Sequence, residues 1–189
     1  RDVRLRLGTT DVIRGVTLEL PPGSLTVVRG GNGSGKSTLL GIAAGLLQPD
    51  SGTAVVPRSA GYLPEQFRPP GSLSAARYLD WAESARRDTR SGRAGSAMTT
   101  LEQLDLRGAT DAPMRDLSKG NLQKVGLAQA IQGPPALIVL DEPLSGLDEA
   151  AREATAILVQ QCVDRDSAVL VAQHGEHPFG ATRIVILEL

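Results

Sequence analysis

Apolar and polar positions along the chain change period several times, and each change marks a different kind of element. Val3 to Leu7 and Gly15 to Leu20 alternate apolar with polar residues, the period of two that a half-buried antiparallel strand requires. Thr53 to Val56, with Tyr62 and Leu63, is expected to complete that small antiparallel layer. Leu25, Val27 and Val28 form a short β-branched-rich strand, after which Leu39, Leu40, Ala43, Ala44, Leu46 and Leu47 recur at helical spacing. This helix is expected to stop near Gln48, because Pro49, Asp50, Ser51 and Gly52 form a strong turn signal.

From Ser72 the pattern turns helical, with SLSAARYLDWAESARR placing Leu79 and Ala82 near one face. Asp88 to Ser96 is polar and glycine-rich and reads as an exposed connector, followed by a second short helix in MTTLEQLDL. A third helix is predicted from Lys119 to Gln132, broken by Gly133, Pro134 and Pro135. ALIVLD, ending at Asp141, is a continuous apolar run of the kind a strand covered on both faces carries. Strands at Ser167 to Ala172 and Arg183 to Leu187 follow a helix at Glu149 to Val163. Strands alternating with helices predict an α/β fold whose sheet is mixed but mainly parallel, joined by an antiparallel β layer and a helical subdomain.

Composition narrows the class. The chain has 189 residues, enough for one core, and a formal net charge of −1, which argues against a surface built for nucleic acid. One cysteine, Cys162, rules out an internal disulfide and fits a cytosolic setting. No apolar run approaches the roughly 20 residues that span a bilayer, so a soluble chain is expected. The first residue is not methionine, and the first strand is therefore expected to be trimmed.

Between the apolar strand and the helix that follows it lies GGNGSGKST, Gly30 to Thr38. Gly30, Gly35, Lys36 and Ser37 satisfy G-x-x-x-x-G-K-[ST] in the strand–helix context that the pattern needs. Glycines let successive backbone N–H groups of Gly31, Asn32, Gly33, Ser34 and Gly35 converge on phosphate oxygens, and the helix starting near Thr38 adds its partly positive N-terminus. Lys36 would meet the β/γ-phosphates of a nucleoside triphosphate and Ser37 would ligate Mg²⁺. Asp141, at the end of an apolar strand, suits the same metal, and Glu142 beyond it suits a general base acting on water. An [NT]-K-x-D guanine reader is absent.

LSKGNLQKV, Leu117 to Val125, resembles the LSGGQ signature of ATP-binding cassette (ABC) ATPases. GYLPEQ looks like the Q-loop of that family with Gln66, LSGLD like its D-loop with Asp148, and VAQHGE like its switch loop with His174. The ordered set spans nearly the whole chain. The resemblance implies a single ABC ATPase domain, with a nucleotide-binding core at 1–67 and 126–189 and a helical subdomain at 68–125. It implies ATP and Mg²⁺ as ligands, with Gln66 and His174 joining Glu142 in catalysis, and Gln66 joining Ser37 and Asp141 at the metal. It also implies that Ser118 and Gly120 close over ATP held by a second copy or a paralogue, so the site is shared by a homodimer or heterodimer.

Membrane permease subunits are the further partners implied, which places the chain on the cytoplasmic face of the cell membrane. Export is the expected direction, because LSKG variants look like those of some exporter and cofactor-maturation subfamilies. The alternative is a soluble ABC ATPase acting on nucleic acid or ribosomes. Two departures stand out: Leu7, with Val12 as a second apolar contact, occupies the place of the usual adenine-stacking aromatic, and Lys119 and Asn121 replace the second glycine and the glutamine of the signature. Tyr62, Phe67, Tyr78 and Trp81 cluster around the Q-loop, either as core or as a docking face for a membrane partner.

Overall fold

The computed structural model describes residues 1–85, 96–106, 108, 110–133, 135–175, 178–180 and 183–186. The arginine-rich connector, His177 and Leu187 lie outside the described residues. Strands β1 (Val3–Leu7), β2 (Thr10–Val16) and β3 (Leu25–Arg29) lead into helix α1 (Lys36–Ala43) and strand β4 (Ala60–Leu63). Helices α2 (Ala75–Ala85), α3 (Ser96–Gln103) and α4 (Lys119–Ile131) follow, with a 3₁₀ turn at Met114–Asp116 before α4. Strand β5 (Leu137–Asp141), helix α5 (Glu149–Val163), and strands β6 (Ala168–Ala172) and β7 (Arg183–Ile186) complete the described order.

Five strands form one sheet in the order β4-β5-β6-β3-β7, and every pairing in it is parallel. The sheet is thus parallel throughout the described residues, where a mixed one was expected. Alternate side chains go to opposite faces, as the period of two demands. Val27, Ile138, Leu140, Val169 and Val171 pack on one face with residues of α4 and α5. Val28, Leu137, Val139 and Leu170 pack on the other with Leu39 and Leu40 of α1 and with Val3, Leu5 and Ile13 of the β1–β2 hairpin. A third cluster joins α2, α3 and α4 through Tyr78, Leu79, Leu101, Met114 and Val125.

The antiparallel layer is smaller than the sequence suggested. Leu7 pairs with Thr10 across a two-residue turn that has glycine first, so the return strand starts at Thr10 and not at Gly15. Thr53 to Val56 forms no strand, and Val55 is almost fully exposed. The outer edge of β1 is already used: Arg4 N donates to Ser51 O, Asp50 N donates to Arg4 O, and Arg6 N donates to the Asp50 carboxylate at 2.8 Å. A turn therefore covers the edge that a third strand would have needed. Tyr62 and Leu63 go instead to the parallel sheet, pairing with Val139 and Leu140 of β5.

Helix α1 also ends early. Gly45 takes φ 75° and donates to Ile42 O, while Leu46 N donates to Gly41 O, a left-handed glycine stop that ends the helix at Ala43, short of Gln48.

Candidate functional site

Because the five strands run the same way, everything that follows a strand emerges at one edge, where open α/β sheets hold their ligands. The glycine-rich loop follows β3, Glu65 and Gln66 follow β4, Asp141 ends β5 with Glu142 next, and Gln173 and His174 follow β6. Since β5 and β3 both flank β6, groups more than a hundred residues apart in sequence meet there.

The loop is shaped for an anion. Gly33 and Gly35 hold φ of 79° and 87°, and α1 begins at Lys36 directly behind them. Open space lies where Gly31 or Gly33 would carry a Cβ, whereas a Cβ on Gly35 would stand 2.9 Å from Val12 O. The hairpin thus backs the loop through Val12, and the loop's other side is free. Lys36 is buried, and its ammonium donates to Gly30 O at 3.0 Å and Gly31 O at 2.9 Å. Ser34 is buried with a hydroxyl that has no protein partner. A buried orphan hydroxyl inside a cradle of N–H groups fits phosphate oxygens, which would also supply Lys36 with a stronger acceptor than a carbonyl.

Asp141 is buried, and its carboxyl lies above the usual carboxylate range because burial disfavours the charge, with the Ser37 hydroxyl bond pulling it back down. Glu65 opposes its ionisation and Lys36 favours it. Ser37 and Asp141 together offer the hard oxygen donors that Mg²⁺ prefers. Among the described residues no group of three or more His, Cys, Asp or Glu could hold a metal, so such an ion would complete its shell from water and phosphate.

Glu142 has φ 50°, a left-handed conformation that costs a non-glycine residue about 1–2 kcal/mol. Three bonds hold it there: Glu142 N donates to Ala172 O, Ser145 N donates to Glu142 O, and Gln123 Nε2 donates to Glu142 O at 3.0 Å. Its carboxyl is also pushed up by burial, against the lowering effect of the His174 backbone N–H. The His174 ring stands with Nε2 3.6 Å from Glu142 Oε1. Strain at a partly buried carboxylate beside an anion cradle marks a built site.

The start of α4 leans on the loop after β5. Ser118 caps the helix by accepting from Asn121 N at 3.2 Å. A Cβ on Gly120 would come within 2.6 Å of Gly146 O, and Lys119 donates to the Ser145 hydroxyl at 3.2 Å. Asp148 caps α5 through Ala151 N at 2.8 Å.

Most of the expected site residues converge at this edge, and Gln66 and Leu7 are exposed. Gln66 is exposed and accepts from Arg68 at 2.6 Å, and Glu65, one residue earlier, is exposed as well. Leu7 is exposed at the hairpin turn. The aromatics divide: Tyr78 is buried against Phe67 with ring centroids 5.8 Å apart, Trp81 is largely exposed 5.9 Å from Tyr78, and Tyr62 packs on the α1 face of the sheet. A cleft of about 790 Å³ between α1 and residues 53–57 is lined largely by apolar side chains and contains none of these groups.

A glycine-rich phosphate loop, a strand-end aspartate and a strained glutamate on one edge of a parallel sheet define a P-loop nucleotide-binding protein. A family model described as ABC transporter matches residues 13–145, and the chain belongs to that family of ATPases. The zinc import ATP-binding protein ZnuC of Pseudomonas fluorescens (strain Pf0-1) is 32% identical over 180 residues, which cover 93% of this chain and 66% of that protein. ZnuC of Alcanivorax borkumensis is 36% identical over 184 residues, covering 94% and 68%. The chain therefore spans about two thirds of the length of these relatives. Among solved structures, an ATP-binding subunit of an ABC transporter superposes with a TM-score of 0.85 at 24% identity, covering 92% of this chain and 78% of that one. MJ0796, a bacterial ABC transporter cassette solved as a dimer, gives 0.81 at 24% identity over 93% and 87%. Both show the same fold. Among the described residues no helix is long and apolar enough to cross a membrane.

Proposed function

We propose that the chain binds ATP with Mg²⁺ and hydrolyses it to drive an ABC importer whose membrane path is built by other subunits. The observation that carries this is the convergence of Lys36, Ser37, Asp141, Glu142 and His174 at the ends of three adjacent strands. Import replaces the export expected from the signature, because both relatives are named as zinc import proteins. Their names also make zinc the first cargo to test. Permease subunits at the cytoplasmic face of the membrane follow from the same reading.

The residues divide the work. Backbone N–H groups of Gly31 to Gly35, Ser34 Oγ and Lys36 hold the phosphates, and Ser37 with Asp141 holds the metal, which offsets phosphate charge when bound. Gln66, which follows β4 at the same edge, would join them at the metal. Glu142 accepts a proton from water as the water oxygen bonds the γ-phosphorus and the bond to the β-phosphate oxygen breaks, leaving ADP and phosphate. His174 orients that water and the γ-phosphate. Ser118 and Gly120, at a capped helix N-terminus, reach the ATP of a second cassette. The soluble nucleic-acid alternative has no observation in its favour.

Glu142→Gln tests the assignment. It should bind ATP as the native protein does, lose turnover at least about 100-fold, and accumulate an ATP-bound dimer visible by size-exclusion chromatography. Native turnover in this variant would refute it.

A further inference from the structure

Gln173 is a buried side chain that touches Glu142 and has no part in the function proposed above. It follows β6 directly, where Asp141 and Ala172 make the last pair of the β5–β6 ladder, and it is only 8% exposed. Its Nε2 donates to Glu142 Oε2 at 2.9 Å and lies 3.4 Å from His174 O. Only the amide N–H₂ can face a carboxylate, since the carbonyl end would repel it, so the orientation is fixed by charge. His174 N adds a second, longer bond to the same Oε2 at 3.4 Å.

One carboxylate oxygen is therefore hydrogen-bonded, and the other faces His174 Nε2 at 3.6 Å, beyond hydrogen-bond reach. Glu142 Oε1 is buried with no hydrogen-bond partner, and so is the carbonyl Oε1 of Gln173. Two buried acceptors left open at one strand edge require donors, and a water molecule carries two.

We infer that Gln173 is a positioning residue: it ties up Glu142 Oε2 so that Oε1 alone is presented to the attacking water, and its own carbonyl accepts that water's second hydrogen. This rests on Glu142 being the base. The carboxylate takes one proton from the water in the step already described, and Gln173 neither gains nor loses one. Without the clamp the carboxylate rotates, and a small misplacement of a reacting group costs far more in rate than in binding. The assignment gives the switch loop a second working residue, directly before His174.

The test is Gln173→Met, which keeps the length and volume of the side chain and removes both polar ends, made in the full-length protein. Steady-state ATP hydrolysis should show kcat lowered roughly 10- to 100-fold with KM for ATP unchanged and the melting temperature preserved. In a Glu142→Gln background the same change should have no further effect on residual turnover, because the partner it acts through is gone. Equal losses in both backgrounds, a KM change without a kcat change, or native kcat in Gln173→Met beside an inactive Glu142→Gln would overturn the role of Gln173 and leave Glu142 as the base. Native turnover in Glu142→Gln alone would remove the base assignment and this inference together.

Discussion

The parallel sheet and the β1–β2 hairpin serve the same nucleotide site in opposite ways. Every residue of β5 and β6 is buried, and their ends hold carboxylates and amides in fixed bonds. The hairpin has two register shifts and many exposed positions, and it touches the phosphate loop mainly through Val12. Phosphate chemistry needs atoms held to fractions of an ångström, and a sheet covered on both faces supplies that. A base needs only an apolar surface, and a loosely built hairpin is enough. The contrast predicts that disturbance of the sheet is costly and disturbance of the hairpin is cheap.

The largest effect should come from Gly61→Ala. Gly61 lies in β4 directly against α4, and a Cβ there would run into the Ala130 carbonyl, which is backbone and cannot turn aside. Strand and helix must separate, so stability should fall by about 3 kcal/mol or more, measured by urea denaturation. A variant as stable as the native chain would show that the sheet is softer than its burial implies.

Gly8→Ala is the matching change in the hairpin. Nothing lies within 4 Å of its Cβ position, but φ 62° remains unfavourable for alanine. The cost should be about 1 kcal/mol, and kcat at saturating ATP should stay native. A loss as large as that of Gly61→Ala would mean that the hairpin carries the fold, and the comparison would fail.

The same division governs what could be read from sequence. β5 was legible as ALIVLD because a strand buried on both faces is apolar without interruption, and α4 was legible because Gly133, Pro134 and Pro135 break it. The phosphate loop was legible because its glycines have one use in that setting. Thr53 to Val56 misled because alternation reports amphipathic character and not whether a neighbouring edge is free; the Asp50 turn had taken that edge. Gln173 escaped for a related reason. It stands beside His174, which fits a known motif, and only the tertiary arrangement of the strand ends shows that its amide reaches Glu142.

The smallest predicted effect is the most specific to the hairpin. Leu7 is 52% exposed beside the turn, in the place the sequence resemblance assigns to adenine contact. A leucine offers adenine apolar contact but no planar face, and base–aromatic stacking is worth about 1–3 kcal/mol. Part of that is already present as apolar contact, so Leu7→Tyr should gain about 1 kcal/mol, or roughly fivefold in Kd for ATP. Tripolyphosphate, which has the phosphates and no base, should bind this variant as it binds the native chain. Titration calorimetry with both ligands separates the two halves of the site. A parallel change for tripolyphosphate would mean that the hairpin shapes the phosphate loop through Val12, and unchanged ATP affinity would mean that the base lies elsewhere.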